Sequence, residues 1–284
     1  MTFIAHWKIG GEPGSAMNGQ AAVDSAAGGS GAHNGIYRVN TSESIAPHGY
    51  DENLSLRCAF SNNDGIIDSF GNISDLQITG TYSVMFWFTP TTWLSNRMYV
   101  INIGASGSTE ATNNLIWIGA RSSGHMRAYW EHGAGTGVIV DSTDPIITTL
   151  KWHHIAVVRY PISANYGVKF YVNGTLEDTQ DNGGGGYTAA SGGTSTVGYI
   201  GRSAEDSYSA DYYKLDSIRV YDSDESSNVS SIYDTEKSYF GEGFPVVQMN
   251  NPLTATSREV LINEFARTGP KLLLEGNTNA GFHR

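Results

Sequence analysis

The residues able to do chemistry in this 284-residue chain are many, but few are grouped. Cleaving a glycosidic bond takes two carboxylates about 5–10 Å apart, and the glutamates here are scattered singly. Glu131, ending the run Met126–Glu131, is a lone carboxylate. There is no G-x-S-x-G, no H-E-x-x-H and no P-loop lysine, so the common nucleophile, zinc-protease and phosphate signatures are absent. His153 and His154 are adjacent; on a strand they point to opposite faces, so they make no metal pair. Cys58 is the only cysteine, which excludes an intrachain disulfide and a thiolate metal cluster.

What the chain does hold is aromatic and planar polar chemistry. It has 16 Tyr, 10 Phe and 6 Trp, most of which a core must absorb. A sugar ring offers an apolar face and a rim of hydroxyls, so it is met by an aromatic platform beside planar polar groups. Outside clean core positions stand Trp93 in a turn, Tyr187 in a glycine-rich loop, and Tyr208 and Tyr212 beside acidic residues. Alternation along Met126–Glu131 puts Arg127, Tyr129 and Glu131 on one face, against Met126, Ala128 and Trp130 on the other. If the second set is core, the first lies on an exposed sheet face. Arg127, Tyr129 and these four aromatics are the carbohydrate-binding candidates.

The elements that must position them are strands. Charged residues make up 16% of the chain and the 34 glycines 12% (34/284), against about 25% and 7% in average proteins. That balance disfavours long helices and highly charged disorder. Net charge is −11, so a basic footprint for nucleic acid is missing and adsorption to anionic membranes is disfavoured; no run approaches the roughly 20 apolar residues of a membrane helix. Period-2 alternation dominates: Tyr82, Val84, Phe86 and Phe88 share one face within 80–90, and similar runs recur to Tyr221. Asn173-Gly174 predicts a two-residue hairpin, because both positions of a type I′ turn need positive φ. Val229, Ile232 and Tyr233 predict a short helix with one apolar face. Thr256 with Glu259 forms a capping-box pattern before the stop at Gly269-Pro270. The stretch 10–35 and the segment 181–195 read as long loops. The fold class is all-β, of the sandwich or barrel kind.

Five fragments, in order, carry a family resemblance. Tyr82–Pro90 (YSVMFWFTP), Trp152–Arg159 (WHHIAVVR), Val168–Gly174 (VKFYVNG), Tyr199–Gly201 (YIG) and Leu215–Tyr221 (LDSIRVY) resemble successive strands of laminin-G-like domains in the concanavalin A-like lectin/glucanase superfamily. Ile4–Trp7 and Asp24 resemble that family's first strand and following turn, so the likeness runs over roughly residues 3–235. The resemblance implies a jelly-roll β-sandwich of two curved antiparallel sheets over residues 1–239, leaving 240–284 as a C-terminal extension. It also implies one structural calcium ion held by Asp24 and Asp216. The hydrolase branches carry E-x-D-x-E or E-x-D-x-x-E on one strand face, and neither occurs here.

Such a fold serves many functions, so the site decides. The N-terminus lacks a basic segment followed by an apolar one, yet laminin-G-like modules work outside cells. A virus or phage particle reconciles the two, being assembled in a cytoplasm and acting beyond it. The expectation is therefore a non-enzymatic virion structural protein on the capsid or tail surface, its partners being other virion proteins, further copies of itself and polysaccharide. Residues 240–284 would be a docking arm, with Leu261, Phe265 and Leu272–Leu274 as anchors. The alternative is a carbohydrate-binding or adhesion module of a secreted bacterial protein.

Overall fold

A computed structural model describes residues 4–7, 21–22, 24, 26, 33–37, 42–44, 57–59, 67–70, 75–76, 78–90, 98–104, 114–133, 136–149, 151–181, 197–201 and 213–240. The chain divides into two units, Met1–Phe244 and Pro245–Arg284, and every described residue belongs to the first. Its strands are β1 (Ala5–Trp7), β2 (Ala21–Ala22), β3 (Gly35–Tyr37), β4 (Ser42–Ser44), β5 (Arg57–Ala59), β6 (Ile67–Phe70), β7 (Tyr82–Pro90), β8 (Met98–Gly104), β9 (Asn114–Ala120), β10 (Met126–Gly133), β11 (Thr136–Asp141), β12 (His153–Ile162), β13 (Asn165–Val172), β14 (Thr175–Gln180), β15 (Val197–Ile200) and β16 (Tyr213–Tyr221). A helix, α1 (Val229–Glu236), runs into a 3₁₀ turn, Lys237–Phe240.

These strands form two antiparallel sheets. The first has the order β14-β13-β12-β7-β16-β5-β4, with β1 also on β16; the second has the order β11-β10-β9-β8-β15-β6-β3-β2. Neighbours such as β7 and β16 are far apart in sequence, as in a jelly roll. Between the sheets lies one core: Val84, Phe86, Ile155, Val157, Phe170 and Val220 meet Ile103, Ile116, Ile118, Ala128, Trp130 and Ile200. Each such Val, Ile or Phe contributes about 1.5–3 kcal/mol on burial.

Arg159 is the exception within that core. It is fully buried, its guanidinium 4.5 Å from the Tyr82 ring centre and 5.2 Å from those of Trp130 and Tyr166. It donates from Nε to the Gly80 carbonyl at 2.7 Å and from Nη2 to that of Ile78 at 2.9 Å. A cation between rings thus ties the approach segment to β7.

The outer face of the first sheet is covered by the chain itself. Met85, Ala156, Val158, Tyr171 and Tyr221 pack against Val229 and Ile232 of α1. Trp87 stacks on Phe240 at 4.0 Å and donates from Nε1 to Glu236 at 2.8 Å, while Glu236 also accepts from Arg219. Phe240, read from sequence as the start of the extension, is therefore packed on β7. His154 is enclosed here beside Trp87 and Tyr233, and burial with the nearby Arg219 charge pushes its pKa down to about 3. The Asn173-Gly174 turn has φ of 50° and 80°, as type I′ requires. A side chain at Gly174 would meet Tyr233 at 2.9 Å.

Candidate functional site

The second sheet's outer face carries a different population. Registers place Ile139 opposite Tyr129, Tyr129 opposite Trp117, Trp117 opposite Asn102, and Asn102 opposite Tyr199. Five strands thus contribute one transverse row of four apolar or aromatic side chains and one amide. At about 4.8 Å per strand the row extends roughly 19 Å. Beside it, Arg127 lies opposite both Asp141 and Gly119, and Tyr99 lies opposite Gly119. Tyr99 meets the Trp117 ring edge-on at 4.9 Å.

Two glycines make this face fit together. A Cβ at Gly119 would sit 2.0 Å from the Met98 carbonyl oxygen, where β8 carries an extra residue. A Cβ at Gly137 would fall 1.9 Å from the Tyr129 hydroxyl, so the absence of a side chain there lets the Tyr129 ring lie across β11. Arg127 donates from Nε and Nη2 to both Asp141 oxygens, at 2.6 and 2.8 Å, and Arg121 adds a third bond at 2.8 Å. Burial of Asp141 raises its pKa, but the two arginines outweigh that and hold it below the usual carboxylate range. The Arg127 guanidinium also lies 5.9 Å from the Trp117 ring centre.

Alternation along β10 is as the sequence predicts: Met126, Ala128 and Trp130 are core, with Arg127 and Tyr129 opposite. The expectation that this face is exposed is corrected. Tyr129 is 3% exposed, Arg127 6%, and Trp117 and Asn102 1% each. The accessible part is the β11 rim, where Ile139 is 47% exposed and the Arg121 side chain 48%. The Trp117 indole N–H and the Asn102 side-chain oxygen are buried with no hydrogen-bond partner.

A second polar cluster lies at the first strand. Asp24 accepts at Oδ1 from the backbone N–H groups of His6 and Ala26, both at 2.9 Å, and at Oδ2 from His33 Nδ1 at 2.6 Å. His33 Nε2 lies 2.7 Å from Asp75. Trp7 donates to the His33 carbonyl at 3.0 Å, and Asn34 accepts from the Asp24 N–H at 2.8 Å. Burial pulls the His33 pKa down, but the two carboxylates more than reverse this and leave it raised; burial raises Asp24, but its donors leave it lowered. The imidazole thus bridges the two carboxylates, with one ring nitrogen facing each.

A family model described as the concanavalin A-like lectin/glucanases superfamily, of laminin-G type, matches residues 61–228. The chain belongs to that superfamily. Among curated proteins none matches the sequence. Among solved structures, the botulinum neurotoxin serotype D binding domain is similar at 15% identity and TM-score 0.50, over 83% of this chain and 52% of that one. Trypanosoma rangeli sialidase in complex with the inhibitor DANA is similar at 13% identity and TM-score 0.51, over 81% of this chain and 32% of the enzyme. The Ruminococcus gnavus sialidase carbohydrate-binding module bound to sialyllactose matches at 11% identity and TM-score 0.46, over 58% of this chain and 93% of the module. The chain thus spans about half the length of the toxin domain it resembles.

The calcium that the laminin-G resemblance implies does not fit Asp24 and Asp216 as they stand. Calcium wants six to eight oxygen ligands, whereas Asp24 is met by three N–H donors. Backbone pairing also puts Trp7 of β1 between the two segments, bridging Asp24 on one side and pairing with Ile218 of β16 on the other. Asp216 accepts from the Ser217 N–H at 2.6 Å, at a bulge where Ser217 has a φ of 50° and its hydroxyl lies 3.1 Å from His6 Nε2. Among the described residues no group of three or more His, Cys, Asp or Glu is placed to hold a metal ion. Trp93, Tyr187, Tyr208 and Tyr212 lie outside the described residues, as do the Thr256 cap and the apolar residues of 261–274.

Sequence reasoning missed Trp117, Asn102, Tyr99 and Tyr199 on the outer face, and the His33 bridge. The alternation of Leu115–Ala120 could have signalled Trp117, because Ile116 and Ile118 claim the core side.

Proposed function

We propose that this chain recognises carbohydrate without cleaving it, using the outer face of the second sheet. The observation that carries the reading is the transverse row Tyr129, Trp117, Asn102 and Tyr199 with the Arg127–Asp141 pair beside it. Rings supply apolar platforms, while the amide and the ion pair supply planar groups for hydroxyls. None is needed by the core between the sheets, and the face matching it on the first sheet is already filled by α1. Among the described residues the accessible part of this face is the rim at Ile139, Arg121 and Asp141, where ligand first meets it. Absence of cleavage is supported by the lack of E-x-D-x-E spacing in the sequence and by the buried Asp24 carboxylate, which is already engaged by two backbone N–H groups and His33.

The test is a glycan array followed by titration with Trp117→Ala and Arg127→Ala. The reading expects binding in the parent and at least a tenfold loss, about 1.4 kcal/mol, in each folded variant. Undiminished binding in both would refute it. The finer setting we propose is the surface of a virus particle, with other virion proteins and further copies of the chain as partners. An acidic, glycine-rich sandwich of net charge −11 supports this. Mass spectrometry of purified particles tests it, and absence from them would send the reading to a secreted adhesion module.

A further inference from the structure

Resting on the carbohydrate reading, we infer that Trp117 and Asn102 form a docking pair for the acetamido group of an N-acetylated sugar. The two residues stand directly opposite each other on β9 and β8, where Cβ atoms are about 4.5–5.5 Å apart. Each is 1% exposed. The indole Nε1–H of Trp117 can only donate and the Asn102 oxygen can only accept, and neither has a partner. An orphaned buried donor beside an orphaned buried acceptor is a cost that folding alone does not recover, and such costs concentrate at functional sites.

The chemistry of the missing partner follows from the pair. It must present an acceptor to Trp117 and a donor to Asn102. A trans amide does this, since its carbonyl and N–H point in opposite directions. It must also tolerate apolar walls, because Tyr99 lies edge-on to Trp117 at 4.9 Å and Tyr199 flanks Asn102 across β15. An acetamido group brings the amide and a methyl for those rings. A hydroxyl brings donor and acceptor on one atom and nothing for the rings. The Arg127–Asp141 pair, 5.9 Å from the Trp117 ring centre on the guanidinium side, remains for ring hydroxyls.

The experiment titrates matched oligosaccharides that differ only in 2-acetamido against 2-hydroxyl: tri-N-acetylchitotriose with cellotriose, and N-acetylgalactosamine-terminated with galactose-terminated glycans. The wild type is expected to prefer the acetamido member of at least one pair by about tenfold or more. Trp117→Phe keeps a ring but removes the N–H, and Asn102→Leu keeps volume but removes the acceptor. Both are expected to erase that preference while leaving the unliganded thermal midpoint equal or higher, because each removes an orphaned polar atom. Equal binding within every pair, or a preference surviving both substitutions, overturns the acetamido assignment and leaves carbohydrate recognition standing. Binding to neither member of any pair, in a wild type that also fails the array, overturns both.

Discussion

Replacing His33 by glutamine should reveal what holds the N-terminal segment to the sandwich. In the wild type, protonated His33 donates to Asp24 at 2.6 Å and to Asp75 at 2.7 Å. The His33→Gln side chain would be neutral, leaving Asp24 buried without its cation. The Asp24 and His33 side chains are 0% and 1% exposed, and breaking a buried pair from one side costs about 3–5 kcal/mol. The Asp75 side chain is 50% exposed, so water screens that arm to about 1 kcal/mol or less. The introduced amide restores one neutral hydrogen bond, worth about 1 kcal/mol, and the net expectation is a loss of about 3 kcal/mol. At roughly 2–4 °C per kcal/mol for a domain of this size, the thermal midpoint falls by about 6–12 °C.

The pH dependence separates an imidazolium bridge from ordinary packing. The folded pKa of His33 is raised above 6.5, so its contribution is complete below that value and fades as pH rises through the folded pKa. Asp24 is lowered below 3.8, so its contribution is complete above that value and fades as pH falls through its folded pKa. The gap between wild type and His33→Gln, measured by urea melts from about pH 3 to about pH 10, should be widest between those two values and narrow on either side. A gap independent of pH, or smaller than about 0.5 kcal/mol throughout, would refute the bridge.

Other perturbations read other parts of the molecule. Chelator should leave the wild-type melting midpoint unchanged and millimolar calcium should not raise it; a rise that Asp24→Asn abolishes would restore the calcium site. Glu236→Ala removes the carboxylate serving buried Arg219 and Trp87 and should cost about 3–5 kcal/mol in denaturant melts, with Arg219→Met/Glu236→Leu recovering much of it; equal loss in the double variant would contradict this. Gly137→Ala should displace the Tyr129 ring and weaken glycan binding several-fold, and an unchanged titration would show that Tyr129 is not part of the site. Arg159→Met should lower stability by about 2–4 kcal/mol, since three rings and two carbonyls lose their cation, and a change below about 0.5 kcal/mol would mean the aromatic box packs as well without it.

The long strands were legible because one face of each had to be apolar. Tyr82, Val84, Phe86 and Phe88 show period 2 whichever residues lie opposite, and all four join the core. The hairpin at Asn173-Gly174 was legible for a local reason, positive φ at both positions. Short strands were not. Ala21–Ala22 falls within the stretch read as a loop, and Ser42–Ser44 has no apolar pattern; pairing with Gly35–Ile36 and with Arg57–Ala59 makes them strands, and pairing is a tertiary fact. The candidate site was half legible for the same reason. Arg127 and Tyr129 could be assigned to a common face from β10 alone, but their meeting with Trp117 and Asn102 depends on the registers of two further strands, β9 and β8.

A sandwich has two outer faces, and this chain treats them differently. On the first sheet the Trp87 N–H and the Arg219 guanidinium both end on Glu236, and Phe240 covers the Trp87 ring, while both ring nitrogens of His154 are buried there without a partner. On the second sheet the rings and the Arg127–Asp141 pair are buried as well, yet the Trp117 N–H and the Asn102 oxygen are left without partners. Stability alone would favour phenylalanine and leucine there, each removing an unanswered polar atom at similar volume. A chain that keeps indole and amide at facing positions sacrifices stability, and a ligand that hydrogen-bonds to both offsets that loss when it arrives. The same reasoning makes Trp117→Phe with Asn102→Leu the most informative pair of substitutions in the molecule, because it predicts opposite signs for stability and for binding.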